Sequence, residues 1–255
     1  MGRVIAIANQ KGGVGKTTTA INLAASLADA GKNVLVIDSD PQGNTTSGFG
    51  IDKYSLPKTL YDLLLGNCYI EEITQNTNLS SLKVLPSNVN LSGAEIELID
   101  YPEREYILKN IVKDVKYLYE YIIIDCPPSL NMLTINSLTA ADTVLVPIQC
   151  EYFALEGLSQ LLHTIELVKK KLNPRLQIEG VVFTMFDSRT NLSMQVVEEV
   201  KKYLSDNVYR SIIPRNVRLS EAPSHGMSIL EYDPKSKGAL AYLDLAHEVI
   251  KRSTL

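Results

Sequence analysis

Two stretches and one further aspartate hold residues that could act together on a polyphosphate. The first stretch is Asn9-Gln10-Lys11-Gly12-Gly13-Val14-Gly15-Lys16-Thr17-Thr18. Its glycines let successive backbone N–H groups turn inward on an anion, and a helix starting there adds a favourable dipole. Lys16 could then reach the terminal phosphates, and the Thr17 hydroxyl could ligate Mg²⁺. The strict pattern G-x-x-x-x-G-K-[ST] is not met, because Gln10 stands where its first glycine belongs, and a second lysine, Lys11, lies inside the loop. A plain glycine turn carrying two surface lysines is the bland alternative. It does not account for the order, the spacing and the acids that follow downstream.

Those acids come at the ends of apolar runs. Val34-Leu35-Val36-Ile37 leads into Asp38-Ser39-Asp40-Pro41-Gln42-Gly43-Asn44. Two carboxylates two residues apart could hold a metal or orient a water, although Asp, Pro, Gly and Asn are also the residues of an ordinary turn. Tyr121-Ile122-Ile123-Ile124 leads into Asp125-Cys126-Pro127-Pro128-Ser129. An aspartate closing four apolar strand residues can accept bonds from Mg²⁺-bound water, and the two prolines, lacking N–H donors, turn the chain out of the sheet. Cys126 reads as packing beside this site, since Cys68 and Cys150 do not supply the ligands of an iron–sulfur cluster.

The segment Lys11-Gly12-Gly13-Val14-Gly15-Lys16-Thr17 resembles the deviant Walker A motif of the ParA/MinD superfamily of P-loop NTPases. The likeness extends through Glu151-Tyr152-Phe153-Ala154-Leu155-Glu156-Gly157 to Ser220-Glu221-Ala222-Pro223-Ser224-His225-Gly226 and Tyr232-Asp233-Pro234, in the pattern of the short chromosomal ParA proteins called Soj. The resemblance implies ATP and Mg²⁺ as ligands and a homodimer that closes on ATP. It implies that Lys11 crosses to the partner's nucleotide, in the manner of an arginine finger, with Gly12 leaving room for that approach. Gly13, Val14, Gly15, Lys16, Thr17 and Thr18 would surround the phosphates. Asp40 would position the attacking water, with Asp38 nearer the metal beside Thr17 and Asp125. Late segments of such chains bound the adenine, which makes Met185, Pro214 and Asn216 candidates for the base. The same resemblance implies non-specific DNA binding through Arg189 and Arg218, release on hydrolysis, slow intrinsic turnover, and stimulation by a ParB-type partner. A MinD-like membrane-associated ATPase and a metabolic ATP-dependent enzyme are the rival readings.

Positioning these groups needs a sheet. Val4 to Ala8, Val34 to Ile37, Tyr121 to Ile124, Val144 to Ile148 and Val181 to Phe183 are short β-branched runs, with a further short strand near Val84-Leu85. Stretches with helical spacing lie between them: Thr17 to Ala30, Glu103 to Leu118, Leu155 to Leu172 and Leu192 to Leu204. Continuous apolar strands alternating with helices predict an α/β fold, a doubly wound, mostly parallel sheet with helices on both faces. Ligands then sit beyond the carboxyl ends of the strands, where each of these chemical segments falls. One ATPase domain over residues 1–255 is expected, with no N-terminal helix-turn-helix domain.

Composition limits the partners. A formal charge of −4 argues against coating nucleic acid by bulk charge. The charge is uneven: residues 1–150 sum to −5, residues 151–255 to +1, and 189–218 to +3. In that last segment Leu192, Val196, Val197, Val200, Tyr203 and Leu204 form an apolar stripe that leaves Lys201 and Lys202 outside. No run approaches the 18 apolar residues that span a bilayer. Ala239 to Arg252 is apolar at Leu240, Leu243, Ala246, Val249 and Ile250, a stripe that suits docking on the sheet as well as on lipid, and stable membrane association is not expected. Three widely spaced cysteines suit a reducing compartment, so a cytoplasmic protein is expected, and the resemblance to ParA proteins implies association with the nucleoid.

Overall fold

A computed structural model describes residues 2–151, 154–204 and 207–253. Tyr152, Phe153 and Asp206, with the side chains of Ala154, Glu156 and Tyr203, carry parts of the sequence reading and lie outside the described residues. Eight strands form one sheet: β1 (Arg3–Ile7), β2 (Val34–Asp38), β3 (Gln75–Asn76), β4 (Leu82–Leu85), β5 (Tyr121–Asp125), β6 (Thr143–Gln149), β7 (Gln177–Phe186) and β8 (Val208–Pro214). Their order is β3-β4-β2-β5-β1-β6-β7-β8, parallel throughout except for the short β3–β4 edge. β1 is central and pairs with both β5 and β6, so the loop that follows it emerges where the strand order reverses.

Alternation along each central strand divides its side chains between two cores. Val4, Ala6, Leu35, Ile37, Ile122 and Ile124 face one layer of helices, while Ile5, Ile7, Val34, Val36 and Ile123 face the other. Helices Ile107–Val115, Met132–Ala140, Ala154–Lys171 and Asn191–Leu204 cover the first face. Lys16–Asp29 and Lys237–Ser253 cover the second, packed against one another. Lys16–Asp29 is rich in Ala and Leu and stops at Gly31, whose left-handed φ of 78° lets the Gly31 and Lys32 amides bond back to Ala28 and Leu27.

The expected strands and the fold class stand. β8 and helix Met132–Ala140 were not anticipated. β8 is an edge strand interrupted by the exposed Arg210 and half-buried Ser211, so no continuous apolar run marks it. Glu103 to Leu118 is not one helix: Glu103 has φ 52°, and a regular helix covers only Ile107–Val115 between two 3₁₀ turns. The last helix docks through Ala239, Tyr242, Leu245, Ala246 and Val249, with Leu240 turned outward. Among the described residues no helix is long and apolar enough to cross a membrane.

A close approach ties two distant segments together. The short helix Asn44–Gly48 runs into Gly50, and Gly50 (φ 77°) lies against Gly226 (φ 64°). A Cβ built on Gly226 would stand 2.5 Å from the Gly50 Cα, so only glycine allows the two backbones to touch.

Candidate nucleotide site

The loop after β1 is anchored at three strand ends. Asn9 Nδ2 donates to the Pro147 carbonyl of β6 at 2.7 Å, and its Oδ1 accepts the Lys11 amide at 3.0 Å. Thr184 Oγ1 of β7 donates to the Val14 carbonyl at 2.8 Å. Thr17 Oγ1 donates to Asp125 Oδ2, at the end of β5, at 2.8 Å. Gly13 (φ 75°) and Gly15 (φ 87°) take the left-handed turns between these anchors, and Gly15 leads into the first turn of helix Lys16–Asp29. No side chain caps that helix, so its N–H groups stay available for an anion.

Lys16 is buried at the mouth of the loop, its Nζ 3.2 Å from the Lys11 carbonyl. Burial lowers its pKa, against the opposing pull of Asp125, Cys126 and Asp40. A buried ammonium is costly unless negative charge stands beside it. Lys11 points the other way, its Nζ 2.5 Å from Glu151 Oε2 beyond the end of β6. Each partner is about a third or more exposed.

Asp38 and Asp125 end adjacent strands in direct register. Both are fully buried, and burial pushes both carboxyls above the usual carboxylate range; for Asp38 the nearby Asp125 adds to the effect. Thr46 donates both its amide (2.8 Å) and its hydroxyl (2.7 Å) to Asp38 Oδ2. Asp125 Oδ2 accepts Thr17 Oγ1 and Thr45 Oγ1, while Oδ1 is buried with no donor among the described residues. A buried carboxylate oxygen without a donor, next to a threonine hydroxyl and a second carboxylate, fits an oxygen-liganded divalent cation. Asp40 is half-buried on the rim, where its Oδ1 caps the Gln42 amide at 2.9 Å and its carbonyl accepts Ser87 Oγ at 2.9 Å. Cys126 is buried and its thiol is pushed up to about 12, in keeping with packing.

A cavity of about 200 Å³ opens beside Gly15 and Thr18. Met185, Pro214 and Asn216, from the ends of β7 and β8, line it together. Met185 has φ 49°, a costly conformation for a non-glycine residue, at the cavity wall. Asn216 also caps the helix Val217–Glu221. Arg189 and Arg218 are outward-facing, and each is already paired. Arg189 makes two bonds to Asp187, whose carboxyl it holds well below the usual range, and Arg218 meets Glu221 at 2.9 Å and Asp233 at 3.6 Å. Val196, Val197 and Val200 are buried as the helical stripe requires, whereas Leu192 is partly exposed.

Thr45 and Thr46, which connect the 38–44 turn to both buried aspartates, and Ser87, which ties that turn to the end of β4, are not among the expected site residues. Their signal was a pair of hydroxyls opening a short helix at a strand's carboxyl end. Asn9 has no role apparent from its neighbours in sequence, and the structure makes it an anchor of the loop.

A family profile described as an AAA domain matches residues 2–178. The sporulation initiation inhibitor protein Soj of Bacillus subtilis is 60% identical over 98% of each chain. The chromosome partitioning protein ParA of Myxococcus xanthus is 56% identical over 100% of this chain and 90% of that protein. The chain belongs to the Soj/ParA family of chromosome-partitioning ATPases. A crystal structure of cobyrinic acid a,c-diamide synthase from Mycobacterium smegmatis, with bound ADP and magnesium, superposes with a TM-score of 0.88 at 39% identity. It covers 100% of this chain and 96% of its own. The loop after β1 in this Soj/ParA chain therefore sits in a fold also seen holding a nucleotide and a metal.

Proposed function

We propose that the chain is a nucleotide switch for DNA partitioning, in which ATP and Mg²⁺ close two subunits that together grip DNA. The observation that supports it most is Asp125. Its Oδ1 lacks a donor among the described residues while its Oδ2 gathers the hydroxyls of Thr17 and Thr45, so the phosphate loop and the helix that follows the 38–44 turn share one carboxylate. Thr17 and Asp125, with Asp38 behind them, would hold Mg²⁺, which would supply neutralisation of phosphate charge. Gly12, Gly13, Val14 and Gly15 wrap the phosphates, Lys16 meets the γ-phosphate and Thr18 borders the ribose side. Met185, Pro214 and Asn216 enclose the base.

Asp40 orients the water that attacks phosphorus while ADP leaves. Lys11 leaves Glu151 for the partner's nucleotide, past Gly12, whose missing side chain opens the approach. A partly exposed ion pair is worth only ~0–1 kcal/mol, so it gives way readily to a phosphate. Turnover is slow until a second subunit and a ParB-type partner complete the site.

Arg189 and Arg218 contact DNA phosphates, exchanging their carboxylate partners for phosphate oxygens. The chain works in the cytoplasm on the nucleoid, without stable membrane association. Likeness to a structure named as a synthase raises a metabolic rival, against which stands the full-length identity of 60% and 56% to the Soj and ParA proteins. Co-sedimentation with double-stranded DNA under ATP and under ADP tests the switch. Binding with ATP alone is expected, with a log–log salt slope near −0.9 per phosphate contacted. Equal binding in both states refutes the switch. Normal DNA binding by Arg189→Ala/Arg218→Ala refutes the placement of the surface.

A further inference from the structure

Ser87 stands two residues beyond the end of β4, after Pro86, and is wholly buried. Its two polar hydrogens go to different parts of the segment that follows β2. The hydroxyl donates to the Asp40 carbonyl at 2.9 Å, and the amide donates to Thr46 Oγ1 at 2.9 Å. Thr46 passes its own hydroxyl hydrogen to Asp38 Oδ2 at 2.7 Å. One serine therefore reaches Asp40 directly and Asp38 through a single intermediary. The register makes this possible, because β4 pairs with β2 in parallel, Leu85 opposite Ile37, and the residues after both strands emerge side by side.

The Asp40 carbonyl does not need Ser87 for its satisfaction. It already accepts the Gly43 amide at 2.9 Å across the turn, and one donor suffices for a part-buried carbonyl. What the second bond adds is position. The contacts of Asp40 Oδ1 with the Gln42 amide (2.9 Å) and of the Asp40 amide with Asp38 Oδ1 (3.3 Å) lie within the turn and travel with it. At Asp40 itself the tie to a neighbouring strand is Ser87, and packing reinforces it: a Cβ built on Gly43 would stand 2.5 Å from the Ser87 carbonyl oxygen. A carboxylate on a turn is aimed only as well as the residues behind it are fixed. We propose that Ser87 is a positioning residue for ATP hydrolysis, aiming the Asp40 carboxylate at the attacking water by fixing the Asp40 backbone. This rests on the reading of Asp40 given above. Buried as it is, Ser87 meets neither nucleotide nor water, so its loss slows the chemical step and leaves nucleotide affinity in place.

The test measures ATP hydrolysis by the full-length chain with Mg²⁺ and double-stranded DNA, beside its affinity for a fluorescent ATP. Ser87→Ala removes the hydroxyl and keeps the amide bond to Thr46. Its kcat should fall about tenfold, with KM and nucleotide affinity changed less than about twofold. Ser87→Cys, close in size but a poorer donor, should lie between Ser87→Ala and the unsubstituted chain, and it decides the matter should Ser87→Ala fail to fold by far-UV circular dichroism. Ser26→Ala deletes an equally buried hydroxyl, bonded to the Asn22 carbonyl at 2.7 Å within helix Lys16–Asp29, and should keep kcat within about twofold. Asp40→Ala and Asp40→Ala/Ser87→Ala should be equally slow, because Ser87 acts only through that carboxylate. Full rate in Ser87→Ala, or a fall that persists undiminished on the Asp40→Ala background, overturns the proposal and leaves the role of Asp40 standing. A matching loss of nucleotide affinity, or an equal fall in Ser26→Ala, marks a merely structural serine and overturns it as well. Full rate in Asp40→Ala overturns the reading of Asp40 itself, and the role of Ser87 with it.

Discussion

Replacing Asp38 by Asn should reduce the pH dependence of stability in the nucleotide-free chain. Asp38 is wholly buried beside Asp125, and burial raises its pKa from 3.8 to about 7. The folded chain therefore holds this proton to higher pH than the unfolded chain does. The associated stability is complete below the unfolded value and is lost as pH rises through the folded one. Between about pH 5 and about pH 8 the loss comes to about 3 kcal/mol. Glu72, Glu120 and Glu221, held low by lysine or arginine partners, are ionised in both states above about pH 5 and do not blur the window. Urea unfolding at a series of pH values should show wild-type stability falling across this range and Asp38→Asn falling less, its remaining slope confined to the acid end where buried Asp125, raised to about 6, titrates; an amide oxygen at position 38 still accepts from Thr46. Mg²⁺ with ATP should restore the wild type most at the alkaline end, where the two carboxylates are charged. A pH-independent wild type, or an equal slope in Asp38→Asn, refutes the argument that burial governs this pair.

Other substitutions probe the remaining parts. Lys16→Ala should abolish the thermal stabilisation by ATP, whereas Lys11→Ala should retain some of it and lose the ATP-dependent dimer in sedimentation; a normal dimer in Lys11→Ala contradicts the crossing role. Gly226→Ala combines an unfavourable φ with a 2.5 Å clash on Gly50, and should cost about 1–3 kcal/mol in chemical denaturation. Met185→Gly should gain up to about 1 kcal/mol by releasing backbone strain while weakening nucleotide binding in calorimetry; unchanged affinity would remove Met185 from the base pocket.

Much of this arrangement was legible because parallel strands buried on both faces read as unbroken apolar runs, and because the chemical residues follow those runs directly. Lys16, Thr17, Asp38 and Asp125 converge for that reason. What was hidden depends on contacts between distant segments. Nothing near Asn9 indicates that its amide reaches Pro147, nor anything near Lys11 that Glu151 receives it, since those pairings exist only once β1 and β6 lie side by side. β8 escaped notice because an edge strand tolerates polar residues, and Glu103 broke an expected helix through a backbone conformation that side-chain periodicity does not report.

The touching backbones of Gly50 and Gly226 set a condition on how the molecule responds to its surroundings. One belongs to the stretch that follows Asp38, Asp40 and Thr46, the other to the stretch that follows Asn216 and Arg218, and no side chain lies between them. Movement passed across that joint is transmitted by hard-core repulsion alone, which counterions do not weaken. Ionic strength can therefore loosen the exposed pairs of Arg218 with Glu221 and Asp233 while leaving the backbone contact beside them unaffected.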